Sequence, residues 1–182
     1  MTERYYISDT HFSHANIIKY GNRPFNNVLE MDEQLIQNWN EIVRPQDSIS
    51  HLGDVTMLRG NRQNQEKFIR LIGRLNGHKR IYLGNHDHFP AEVYLEAGFE
   101  KIYATWRTDE RIIFSHIPLH PNSLNAVRAN CHGHTHQAPD YAPARLEWKG
   151  QTKVVPYINL SVERTEYKPV HLDEILARVN NL

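Results

Sequence analysis

The chain has 182 residues, 21 basic against 21 acidic side chains, and 40% apolar residues. Those totals suit one globular domain, residues 1–182, with its own core, and they exclude an overall field that would draw nucleic acid or an anionic membrane. One cysteine, Cys131, excludes an intrachain disulfide and a cysteine-rich zinc site. In chain order, short apolar runs predict strands at 4–8 (RYYIS), 47–52 (DSISHL), 80–83 (RIYL), 100–105 (EKIYAT), 111–115 (RIIFS) and 153–160 (KVVPYINL). Helical spacing appears first at Val28, Met31, Leu35, Trp39 and Ile42, with Asn26 and Asn27 ahead of it as caps. Phe68, Leu71, Ile72 and Leu75 give a second helix, and a short third starts near Pro90 and stops before Gly98. Leu172, Ile175, Leu176 and Val179 give a fourth. Helices and strands alternate early and strands dominate late, which predicts layered α/β with two packed sheets and helices outside.

No apolar run approaches the ~18 residues of a membrane span, and "MTERYY" carries no signal-peptide pattern, so the expected location is the cytoplasm, with no membrane partner. Between Arg59 and Arg80, seven basic residues face one acid, Glu66. That is either a solvated helix face with its flanks or a phosphate-binding patch for nucleic acid.

Twelve histidines call for an explanation. Two pairs share one spacing: Asp9-Thr10-His11 in "YYISDTHF" and His134-Thr135-His136 in "CHGHTHQ". Alternate residues at a strand end project to one side, so each motif would present two metal-binding side chains together. Three further short motifs lie between them: Gly53-Asp54, Gly84-Asn85-His86-Asp87 and Ser115-His116. Each alone is weak; five in order, after hydrophobic segments, form a strong signal.

With these five blocks in place, residues 5–160 resemble the calcineurin-like metallophosphoesterase superfamily. The stretches "SDTHFSHANII", "NRPF", "HLGDV" and "LGNHD" resemble its small bacterial and phage branch. The resemblance implies a four-layer α/β/β/α sandwich of the metallo-dependent phosphatase type, with two metals where strand ends meet. By motif, it implies Asp9, His11 and His136 on one metal, Asn85, His116 and His134 on the other, and Asp54 bridging them. Imidazole, carboxylate and amide donors without thiolate suit two divalent ions, manganese first and iron, nickel or zinc as alternatives. Such a centre supplies an activated hydroxide for in-line attack on phosphorus. The resemblance also implies His86 as the acid for the leaving oxygen, with Asp87 holding its ring.

Among the other histidines, His51 reads as a structural hydrogen-bond partner on a buried strand, and His78 and His171 as surface residues. His14 sits just after the first motif and is a candidate substrate contact. Arg23 of "GNRPF" is another, since a guanidinium can grip phosphate bidentately; it could equally tie down its own loop. His88, His120 and His132 are left unassigned.

Protein Ser/Thr phosphatases of the superfamily carry G-D-x-x-D-R-G. Here "GDVTMLRGN" has Met57 at the acidic position, which argues against a phosphoprotein substrate. Only 17 residues separate His116 from His134, too few for a cap domain, so an open site is expected. Expectation therefore centres on a phosphodiesterase acting on a cyclic nucleotide or a nucleic-acid end. A phosphomonoesterase, a nuclease and a non-catalytic scaffold are the alternatives. Nothing in the sequence fixes the oligomeric state.

Overall fold

In the computed structural model, which describes residues 2–148 and 150–181, the N-terminal half is built by repeated strand–helix crossover. The first sheet takes β1 (Arg4–Ile7), β2 (Ser48–His51), β3 (His78–Tyr82) and β4 (Phe99–Tyr103), all parallel. Between them run α1 (Ala15–Tyr20), α2 (Val28–Ile42), α3 (Arg62–Ile72) and α4 (Ala91–Glu96). The second sheet is made of β5 (Thr105–Arg107), β6 (Ile112–Ser115), β7 (Ala129–His132) and β10 (Tyr157–Asn159). Its order is β10-β7-β6-β5, parallel except for β5. A hairpin of β8 (Ala144–Trp148) and β9 (Gln151–Val155) stands apart. The chain then returns as β11 (Val170–His171), antiparallel to β1 at the sheet edge, and ends in α5 (Leu172–Asn180). The result is the expected mixed α/β arrangement: two sheets flanked by helices.

Alternation along the central strands explains why both faces of the first sheet are buried. On β1, Ile7 packs into the core shared with α2, α3 and α4, beside Met31, Trp39, Phe68 and Ile72. Its neighbour Tyr6 points the other way and stacks on Phe114 of the second sheet, centroids 4.1 Å apart. Tyr82, Leu52, Cys131, Ile158 and Ile175 of α5 complete that intersheet core. A third, smaller cluster of Leu124, Val127, Leu146 and Val155 supports the hairpin.

Local chemistry accounts for the boundaries. Asn27 caps α2 by accepting from the Glu30 amide at 3.0 Å. Asn61 does the same for α3 through Asn64 N (2.9 Å). Leu75, expected on α3, lies past its end but still in the core. The 153–160 run divides into β9 and β10, because Pro156 has no N–H to continue a ladder. Among the described residues, α1, β7, β8 and β11 fall outside the predicted runs, and β5 shares only Thr105 with one of them. Among the described residues, no helix is long and apolar enough to cross a membrane.

Candidate metal centre

All five motifs lie at or just beyond the carboxyl ends of parallel strands, where the two sheets meet. The first and second loops are zipped together beyond their strands: Asp9 N donates to Gly53 O (3.0 Å), His11 N to Asp54 O (3.0 Å) and Phe12 N to Val55 O (2.8 Å). The fully buried His51 braces this zipper. Its Nε2–H donates to Thr10 Oγ1 (2.9 Å), Thr10 donates on to Val55 O (3.0 Å), and His51 Nδ1 accepts from Gly53 N (3.2 Å). Burial pushes its pKa down to about 3, so the ring is neutral, as that donor–acceptor pattern requires.

The paired motifs are not strand alternation. Strand β1 ends at Ile7 and β7 at His132, so both pairs sit in the turns that follow. There Asp9, His11, Asp54, His134 and His136 have φ of 58°, 50°, 56°, 69° and 48°. Left-handed backbone disfavours L side chains, by about 1–3 kcal/mol per residue. In D-x-H and in H-x-H the left-handed residues are the two donors themselves, Asp9 with His11 and His134 with His136. Strain concentrated in five of the seven expected ligands marks where the fold trades stability for geometry.

Two groups of donors result, Asp9/His11/His136 and Asp54/His116/His134, each with its atoms within 4.8 Å of one another. Asp54 Oδ2 lies 3.6 Å from His11 Nε2 and 3.4 Å from His116 Nε2, so it faces both groups. Asn85 joins the second, its Oδ1 3.0 Å from His116 Nε2. Tautomers settle what these contacts are. His116 Nδ1–H donates to Leu52 O (2.7 Å) and His136 Nδ1–H to Glu163 Oε1 (2.9 Å). Each Nε2 lone pair is thereby aimed at oxygen acceptors: Asp54 and Asn85 for His116, Asp9 Oδ1 at 3.7 Å for His136.

Acceptors facing acceptors need a cation between them, or a proton. Burial lowers the affinity of His116 for a proton, but Asp54 and Asp9 more than offset this and raise its pKa to about 9. His136 shifts the same way, through Glu163 and Asp9, against burial. Burial also works against the Asp54 carboxylate, yet His116, the His86 amide and His11 hold it well below the usual range. For His11, burial outweighs the pull of Asp54. Both ring nitrogens are buried without a partner, and burial drives its pKa down to about 2. An orphaned neutral imidazole beside two carboxylates fits a divalent ion, and bonds of about 2.0–2.2 Å suit donors spaced as these are.

No family model matches the chain. The uncharacterised protein MJ1445 of Methanocaldococcus jannaschii is 38% identical over 184 residues, covering 98% of this chain and 92% of that one. Gene 66 protein of Mycobacterium phage L5 is 27% identical over 135 residues, or 74% of this chain and 60% of the phage protein. Among solved structures, the Aquifex aeolicus protein of unknown function AQ665 superposes with a TM-score of 0.70 and 27% identity, covering 97% of this chain and 99% of that one. Pseudomonas putida nuclease MPE shares the fold alone, at a TM-score of 0.52 and 13% identity, over 85% and 73% of the two chains.

The chain belongs to the calcineurin-like metallophosphoesterase superfamily. In this member of the superfamily, two expected roles change once side chains are placed. Arg23 is no substrate contact. Its side chain is fully buried, with Nη1 donating to Thr10 O (2.8 Å), Nη2 to Asp9 O (2.7 Å), and both Nη2 and Nε to Glu163 Oε1 (2.7 and 2.9 Å). A guanidinium so engaged has no free fork for phosphate. Nor does Asp87 hold the His86 ring. Its carboxylate accepts from the amides of Asp54 (2.7 Å), Val55 (3.0 Å) and Gly84 (2.8 Å), clamping the second motif to the third. Burial pushes its pKa up to about 6, against the pull of those three donors. The His86 ring instead has Nδ1 3.5 Å from Arg59 Nη2 and Nε2 4.0 Å from Asp54 Oδ2.

Glu163 is the residue that sequence reasoning missed. Fully buried, it receives His136 and Arg23 on a single oxygen and so ties the fifth motif to the first. In the basic 59–80 segment, four of the seven side chains have partners within the fold. Arg62 and Arg70 pair with Glu66, Arg74 with Glu33, and Lys79 is buried, donating to Leu75 O and Gly77 O.

Gly133 is indispensable to the arrangement, since a Cβ there would overlap Ser8 Oγ and the Asp9 carboxylate. The variant Gly133→Ala is expected to lose about 1–3 kcal/mol, read by urea unfolding, and to bind one cation fewer by elemental analysis. Unchanged stoichiometry would place Asp9 outside the metal set.

Proposed function

We propose that this metallophosphoesterase is a dinuclear-metal phosphodiesterase. The observation that carries the reading is the convergence of Asp9/His11/His136 and Asp54/His116/His134 at one strand-end cluster, with Asp54 Oδ2 facing both groups. Two divalent cations held there, manganese being our first choice, supply Lewis acidity for the phosphoryl oxygens and water of pKa near 7. The chain's own residues do the rest. Glu163 and Leu52 O fix the His136 and His116 tautomers, keeping Nε2 of each available to a cation.

His86, on the rim beside Asp54, is placed to give a proton to the departing oxygen. In His86→Ala, metal content should stay at the wild-type level. Turnover of an alkyl phosphodiester should fall about a hundredfold or more, and that of a p-nitrophenyl ester much less, because nitrophenolate leaves without help. Equal losses on both would remove the acid role.

A diester is favoured over a monoester by access: only 17 residues separate His116 from His134, too few for a cap domain, and an open site admits both ester arms. The test uses metal-stripped protein reloaded with manganese, nickel or zinc and assayed on bis-p-nitrophenyl phosphate and p-nitrophenyl phosphate. Preference for the monoester would reverse the diester assignment, and inactivity with every metal would favour a binding scaffold.

A further inference from the structure

Beside the candidate metal centre lies a cavity of about 490 Å³, within the range of small-ligand pockets. His11, His86 and His136 form part of its lining, so whatever fills it is adjacent to the reacting phosphorus. The rest of the lining includes Tyr20, Met57 and His14, and none of the described residues lining it is acidic. Tyr20 is 77% exposed and meets the His14 ring edge-on at 6.5 Å. A large aromatic side chain left this open at the rim of a site is a platform for a flat ring. His14 Nδ1 is buried without a hydrogen-bond partner, a polar atom available to the edge of such a ring. Arg59, whose guanidinium lies 3.5 Å from His86, is paired with no carboxylate among the described residues and is exposed. An apolar and aromatic wall, an unused polar edge and a free cation beside a phosphate site are together the complement of a nucleotide.

We infer that one ester arm of the substrate is a nucleoside whose base lies against Tyr20 and Met57, with Tyr20 setting specificity. This rests on the phosphodiesterase reading and narrows its substrate class. It accounts for the cavity without a polymer-binding surface, in keeping with the internally paired arginines of α3.

The experiment compares methyl p-nitrophenyl phosphate with the p-nitrophenyl esters of thymidine 5′- and 3′-monophosphate in the metal-loaded protein. The leaving group is the same in all three, so a difference in kcat/KM reports the nucleoside alone. At least one thymidine ester should be preferred about tenfold or more, the scale of one base stacked on an aromatic ring. In Tyr20→Ala the ratio should collapse toward unity, and in Tyr20→Phe it should be kept; an exposed position makes both substitutions safe for folding. A parallel arm measures the Kd of the corresponding thymidine monophosphate against that of methyl phosphate by calorimetry, with the same tenfold margin expected and the same loss in Tyr20→Ala. Equal rates on all three esters, or a preference that survives Tyr20→Ala, would overturn the subsite. If no ester is hydrolysed, the hydrolase reading fails, and the calorimetric margin alone supports or overturns the nucleoside site.

Discussion

Replacing Arg23 by methionine should lower the free energy of unfolding by about 3–5 kcal/mol, the usual result of removing one partner of a buried ion pair. The Glu163 carboxylate would be left buried with only the His136 N–H to offset its charge, and the carbonyls of Asp9 and Thr10 would lose their donors. Urea unfolding of the metal-free protein isolates this loss from any change in metal binding. A second consequence follows from position. Arg23 and Glu163 together hold the Asp9 backbone and the His136 ring, so cation affinity at Asp9/His11/His136 should fall, while Asp54/His116/His134 keeps its own. The milder Glu163→Gln retains an oxygen for His136 Nδ1–H but gives up the charge, and should weaken the first cation about 10–100-fold, as loss of an outer-shell partner does. The opposite pattern, a raised KM with unchanged stability, would restore Arg23 to substrate binding, the role its motif suggested.

How much of this was legible in the sequence depended on how local the determining interaction is. The strands β1, β2, β3 and β6 each announce themselves by an apolar run, and α2 by five apolar residues with Asn27 ahead of them. The convergence of seven side chains was legible because their short contiguous motifs carry the family resemblance that groups them. What escaped was determined at a distance or in very few residues. Arg23 and Glu163 are 140 positions apart, and "SVERTE" carries no local signal that the side chain of one glutamate in it is buried against His136. Asp87 adjoins His86 in sequence, which invited a side-chain pairing, yet the tight turn presents its oxygens to three backbone amides. Strand β7 (ANCH) is four residues with two polar ones, buried on every side only because β6 and β10 flank it. Sequence spacing also suggested the wrong geometry for D-x-H and H-x-H, since left-handed turns are invisible to an alternation rule.

Asp54→Asn should have the largest effect on function. One oxygen of this carboxylate, Oδ2, lies within 4.0 Å of His11, His116 and His86, side chains brought by three different loops. The other, Oδ1, accepts from His86 N at 2.8 Å and fixes the carboxylate plane. An asparagine can keep that amide bond, but it turns either a neutral oxygen or an N–H₂ toward the imidazoles. Both outcomes remove the shared negative charge. Metal affinity should therefore fall by more than the ~100-fold of an outer-shell change, and phosphodiester hydrolysis should fall with it. Counting cations separates a shared ligand from a private one. Asp9→Asn should leave about one ion per chain under conditions where the wild type holds two, whereas Asp54→Asn should hold fewer than Asp9→Asn. Stability should move as well: without metal, Asp54 is the charge that keeps His116 protonated and is itself held below the usual carboxylate range, so near neutral pH metal-free Asp54→Asn should unfold at lower urea than the metal-free wild type. Two ions retained in Asp54→Asn would show that the groups bind independently, and the dinuclear reading would have to be given up.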